Sequence, residues 1–186
     1  HGRELGHAVL STLAGMEPPG TRLAYAGVRE SGAPLAVWRR ETNELGRKIG
    51  AARMEVELPL KPWPSAAELE RELAATADRV TQERLRRKLS IRHGLGDGDT
   101  FSFPVWIWQL GDAALVANMA EAYSVIQRNL RATFPDRPIA YLNLANGSIG
   151  YLPPSDLFGE NLYQVWQTPF ERGSLERLES AVAQSL

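Results

Sequence analysis

Apolar positions recur at helical spacing at the start of the chain, at Leu5, Ala8, Val9, Thr12 and Leu13. They predict an amphipathic helix that Gly15 and the turn Pro18-Pro19-Gly20 bring to an end. Loose alternation from Thr21 to Val28 predicts a strand; Ser31-Gly32-Ala33-Pro34 breaks it, and Leu35 to Trp38 is a second apolar piece. Met54, Val56 and Leu58 alternate cleanly with polar neighbours, so Arg53 to Leu60 reads as a half-buried strand. After the stiff connector Lys61-Pro62-Trp63-Pro64, Ser65 stands three residues before Glu68, the spacing of a capping box. The helix it opens is predicted to run unbroken from Ala66 to about Arg92, with Leu69, Leu73, Ala77, Val80, Leu85 and Leu89 along its apolar side.

The glycines and acids of His93 to Asp99 form a loop tip; no Glu closes a calcium loop there. Phe101 to Leu110 is dense in aromatic and β-branched residues, Gly111-Asp112 turns it, and Ala113 to Ala117 returns. Such near-continuous apolarity predicts a hairpin covered on both faces. Trp106 and Trp108 share one strand face, where core packing is the default reading. A helix is predicted from about Ala120 to Thr133, with Tyr123, Ile126 and Leu130 facing inward and Pro135 stopping it. Ile139 to Leu144 reads as a short buried strand. Leu175, Leu178, Val182 and Leu186 define a closing amphipathic helix, opened by Ser174. The order is that of a mixed α/β (α+β) domain, a layered sheet flanked by helices, with residues 1–186 forming one domain.

Composition narrows the chemistry. Hydrophobic residues make up 44% and charged residues 23% of the 186 positions, with a net charge of −1, ordinary globular usage. That balance argues against a general nucleic-acid binder. No apolar run approaches the ~18 residues that span a bilayer. The absence of cysteine removes disulfides, thiolate metal sites and cysteine nucleophiles, and leaves the compartment open. The chain opens on His1-Gly2-Arg3-Glu4 and runs straight into helical periodicity, with no initiator Met or leader. We therefore read it as a piece of a longer protein, in which a multi-segment site is incomplete.

No Gly-x-Ser-x-Gly elbow, phosphate-cradling loop or GxGxxG follows a strand, and His1, His7 and His93 are too scattered for a metal pair. Glu121 is expected in the first turn of a helix after an outgoing strand. A carboxylate there stays ionised by the helix dipole and is a hard ligand for zinc, although first turns favour Glu without any ligand. The stretch Asn146 to Tyr163 carries glycines around Ser148-Ile149, rigid Pro153-Pro154, and two tyrosines, Tyr151 and Tyr163. Those phenols serve either a site or the anchoring of a loop. The basic run Arg84, Arg86, Arg87 and Lys88 could meet phosphates; interleaved acids favour a solvated face instead.

The runs "FPVWIWQLGDAALVANMAEAYSVIQRNLR" and "YLNLANGSIGYLPPSDLFGENLYQVWQTPF" with the final helix resemble the neutral/alkaline non-lysosomal ceramidase family. The resemblance covers Phe103 to Leu186 well and residues 2–62 more loosely. It implies the C-terminal part of the catalytic domain of a zinc amidohydrolase that cleaves the amide bond of a ceramide-like lipid. The family's metal-ligand glutamate falls on Glu121, its ligand tyrosine on Tyr151 and a further catalytic tyrosine on Tyr163, with two histidine ligands expected upstream. Departures are Ala120 for a glycine, Pro154 for a threonine and Gln164 for an acid.

In such an enzyme zinc lowers the pKa of a bound water toward ~7, and Tyr163 donates a hydrogen bond to the developing oxyanion. Phe158, Leu162 and Trp166 are candidates for an apolar groove. The implied partners are a lipid-like amide substrate and a peripheral membrane contact, with no nucleic acid; the implied location is secreted or extracytoplasmic. With two of four ligands present, these residues alone are expected to be inactive. The competing reading is a catalytically silent binding or structural domain of the same fold.

Overall fold

The computed structural model describes residues 1–44 and 46–186. The chain divides into two compact units, residues 1–46 and 47–186.

The first unit holds helix α1 (Gly2–Gly15) and a hairpin of β1 (Thr21–Ser31) and β2 (Ala33–Thr42). The strands pair antiparallel, with a bulge between Tyr25 and Gly27, and Tyr25 meets Trp38 edge-on at 5.7 Å. Arg40 pairs with Glu17 at 2.8 Å. The predicted helix and the predicted first strand are present, and the apolar piece Leu35 to Trp38 lies within β2, yet none of the described residues of this unit is buried. The apolar stripe of α1, including Leu5, Val9 and Leu13, faces solvent.

The second unit is built on a four-stranded sheet in the order β3 (Ile49–Pro59), β4 (Thr100–Leu110), β5 (Ala113–Asn118), β7 (Ile139–Leu142). The first three run antiparallel and β7 joins β5 in parallel. β4 and β5 form the predicted hairpin, closed by Gly111 at φ 62°, a left-handed turn position that glycine fills without strain. One face of β4, carrying Phe103, Val105 and Ile107, is buried. The other, with Trp106 and Trp108, is only half-covered, so the hairpin is not sealed on both faces as its apolarity predicted. Helices α4 (Val125–Thr133) and α6 (Ser174–Ser185) pack against the sheet through Ile126, Leu130, Leu175, Leu178 and Val182. Phe103 and Phe170 cross edge-to-face at 5.7 Å in this core.

Several boundaries depart from the sequence reading. The long helix is two: α2 (Ala66–Ala75), opened by the capping box of Ser65 and Glu68, and α3 (Arg79–Leu95). Asp78 caps α3 by accepting from the Thr81 amide at 2.8 Å and the Thr81 hydroxyl at 2.7 Å. A local side-chain cap thus competed with helix continuation and won; Val80, placed on the apolar side, is exposed. β7 stops at Leu142 because Leu144 and Asn146 adopt positive φ. The last helix begins one residue after Gly173, which caps it, and Ser174 is its first turn rather than its cap.

Candidate functional site

The segment after β5 does not enter a helix at Ala120. Glu121 and Ala122 instead form a two-residue strand, β6, whose partner is β8 (Tyr151–Leu152). The strands are parallel, and the register sets Glu121 opposite Tyr151 and Ala122 opposite Leu152. The expected position of Glu121 at a helix N-terminus is therefore wrong: α4 starts only at Val125. A two-residue strand has no propensity of its own to read; it exists because its partner does.

Backbone hydrogen bonds fix this ladder. The Glu121 amide donates to the Gly150 carbonyl at 2.8 Å and the Tyr123 amide to the Leu152 carbonyl at 3.2 Å. Gly150 holds φ 94°, and a Cβ there would lie 3.0 Å from Pro169 Cδ, so the position calls for glycine. Two asparagines bracket Glu121. The Asn118 side chain accepts from the Ala120 amide at 2.7 Å and donates to the Leu142 carbonyl and Asn143 Oδ1. Asn143 accepts from the Ala122 amide at 3.2 Å and donates to the Ala122 carbonyl at 2.8 Å. Asn118 is fully buried. Neither asparagine stood out in the sequence reading, although each is a polar residue closing an apolar strand, a signal that was there to use.

Tyr163 opens the short helix α5 (Tyr163–Gln167). Its ring meets that of Tyr151 edge-on at 5.8 Å and that of Trp166 at 4.9 Å. Its hydroxyl oxygen accepts a hydrogen bond from Arg87 Nη1 of α3 at 3.2 Å, while Arg87 Nε holds Glu83 at 3.0 Å. Burial pushes the Tyr151 phenol above its ordinary value; the Glu121 charge, Tyr163 and a hydrogen bond to Glu121 add to the rise, and Arg87 opposes it. The three residues singled out from sequence thus converge, and Arg87 joins them.

The other residues divide. Trp166 stays beside Tyr163, whereas Phe158 lies under the Lys61 ammonium at 5.2 Å. Ala120 is fully buried with its amide held by Asn118. Pro154 caps the 3-10 turn Ser155–Gly159, and Gln164 lies inside α5. His93 faces Glu70 at 3.6 Å.

The sequence matches no protein-family model and no curated protein. Among solved structures it is similar to neutral ceramidase from Pseudomonas aeruginosa, with a TM-score of 0.44 and 13% identity over 76% of this chain. The chain spans 28% of the length of that ceramidase. At that distance no residue role passes from one protein to the other, and the site stands on its own geometry.

For a cation, that geometry offers two hard oxygen donors side by side, a carboxylate and a phenol. Among the described residues no group of three or more His, Cys, Asp or Glu gathers to hold a metal ion. A carboxylate is among the oxygen ligands zinc accepts, and the Tyr151 phenol beside it is a second oxygen donor. Among the described residues no helix is long and apolar enough to cross a membrane.

Proposed function

We propose that this chain contributes part of the active site of a zinc-dependent amidohydrolase that cleaves the amide bond of an N-acyl sphingoid, ceramide-like or related lipid. The observation that carries the reading is the register of Glu121 against Tyr151, with Tyr163 and Arg87 alongside. Burial and the Glu121 charge raise the cost of ionising the Tyr151 phenol, and a cation shared with the carboxylate relieves that cost. Glu121 and Tyr151 would hold the zinc together with two histidines from outside this chain. When bound, zinc supplies Lewis-acid polarisation and an activated water. Tyr163, whose oxygen already accepts from Arg87, keeps its own proton to donate to the amide carbonyl oxygen as negative charge develops. Arg87 fixes the orientation of that donor. Trp166 provides an apolar wall beside it.

Zinc titration tests the reading. The isolated 186-residue chain is expected to bind zinc weakly, because it offers two donors. The intact protein is expected to hold about one zinc per chain and to lose it in Glu121→Ala. Tight stoichiometric binding to the isolated chain, or an intact protein without zinc, overturns it.

A further inference from the structure

A groove of about 620 Å³ opens beside Tyr163, between α3 and α5. Its lining includes Arg79, Arg84, Arg86 and Arg87 from α3, with Tyr163 and Trp166 from α5. The only acid among the lining residues is Glu83, which is already engaged by Arg87.

A helix face rich in arginine is ordinarily solvated, its charges balanced by neighbouring acids. That balance is missing here. Asp78, the acid that precedes Arg79 in sequence, is committed to capping α3, although it still feels the charge of Arg84. The Arg84 guanidinium carbon sits 5.3 Å from the centre of the Trp166 ring. Stacking engages the flat face of a guanidinium and leaves its edge N–H donors for an acceptor. Among the described residues Arg86 donates only to Gln82, at 3.3 Å, and neither Arg79 nor Arg84 has an ion-pair partner. Surplus cations, an aromatic floor and a position next to the Glu121–Tyr151 pair occur together.

From this we infer that the groove selects the substrate: it takes an acyl amide whose polar end carries an anionic group, a carboxylate, sulfate or phosphate. The inference rests on the amidohydrolase reading and narrows its substrate from ceramide-like lipids, whose polar end is uncharged, to a related acyl amide that carries an anion. Arg84 and Arg86 grip the anion, Trp166 covers the adjoining apolar portion, and the amide falls beside Tyr163. Charge-assisted hydrogen bonds of this kind are strong enough to separate an anionic ligand from its neutral twin.

The test is calorimetric binding of N-dodecanoylglycine and of its uncharged methyl ester to the full chain. The carboxylate is expected to bind roughly tenfold more tightly, the effect of about one charge-assisted contact. The doubly substituted variant Arg84→Gln, Arg86→Gln is expected to erase that difference and leave the ester unaffected. Both residues are exposed, so the fold is not at stake. Equal affinity for acid and ester, or a variant that still distinguishes them, overturns the inference. So does inorganic phosphate, or a single-stranded oligonucleotide, that binds as tightly as the tailed carboxylate. Hydrolysis is a separate readout. An intact enzyme that cleaves neutral and anionic amides alike defeats this inference and spares the amidohydrolase reading; selective binding without cleavage does the reverse.

Discussion

Glu121 and Tyr151 occupy one register position of a parallel two-residue ladder, so their side chains leave the backbone as neighbours. Everything that holds that register acts on the site. The parts are few: the Gly150 carbonyl, the buried Asn118, the exposed Asn143 and the turn from Leu144 to Gly150.

Asn118→Ala is expected to destabilise the second unit by about 1–3 kcal/mol, since it strands the amide of a fully buried Ala120. Asn143→Ala removes bonds to Ala122 from an exposed position, where water replaces much of what is lost, and should cost less. Denaturant midpoints of the two variants decide the order; equal losses would mean that the buried amide is not what Asn118 secures.

Gly150→Ala places a Cβ at φ 94° and 3.0 Å from Pro169 Cδ. Backbone strain of this kind costs about 1–3 kcal/mol. The same carbonyl group receives the Glu121 amide, so relief of the strain should shift Glu121 against Tyr151. The variant is expected to lose both stability and zinc affinity in the intact protein. A variant that loses stability alone would separate the ladder from the site.

Tyr163→Phe keeps the ring against Tyr151 and Trp166 and removes the hydroxyl that Arg87 contacts. If that hydroxyl is the oxyanion donor, kcat falls by roughly 100- to 1,000-fold with little change in KM. Steady-state kinetics of the intact enzyme checks it. A change confined to KM would assign Tyr163 to substrate binding.

The fold class and most elements were legible in the sequence because each rests on local signals. Alternation fixes β3, a run of aromatic and β-branched residues fixes β4, glycine fixes the hairpin turn, and Ser65 with Glu68 opens α2. Non-local features were not legible. β6 exists through β8, and no window of residues around Glu121 contains Tyr151. The apolar stripe of α1 was read correctly as helical, but periodicity states which side is apolar and not whether anything covers it; in this structure that side is exposed. Glu121, Tyr151 and Tyr163 stand out from their local settings and take their roles from the resemblance, while the contact of Arg87 with Tyr163 and the parts played by Asn118 and Asn143 come only from geometry. Arg87 lies on the charged helix that composition alone marked as a solvated face.

The break between α2 and α3 carries a pH signature. Hydrogen bonds from the Thr81 hydroxyl and amide hold Asp78 below its ordinary value of 3.8, and the Ser65 hydroxyl and amide hold Glu68 below 4.5. A carboxylate with a lowered folded-state pKa adds stability that is fully present above its unfolded value and is lost as pH falls through the folded one. Both caps should therefore be intact at neutral pH and weaken below those values. The Thr81 amide reports directly, because Asp78 is its acceptor. Its hydrogen-exchange protection, corrected for the intrinsic rate, is expected to fall in acid and to be lost in Asp78→Ala even at neutral pH. Protection that survives in Asp78→Ala would mean that α3 begins where it does for reasons of packing, not because of its cap.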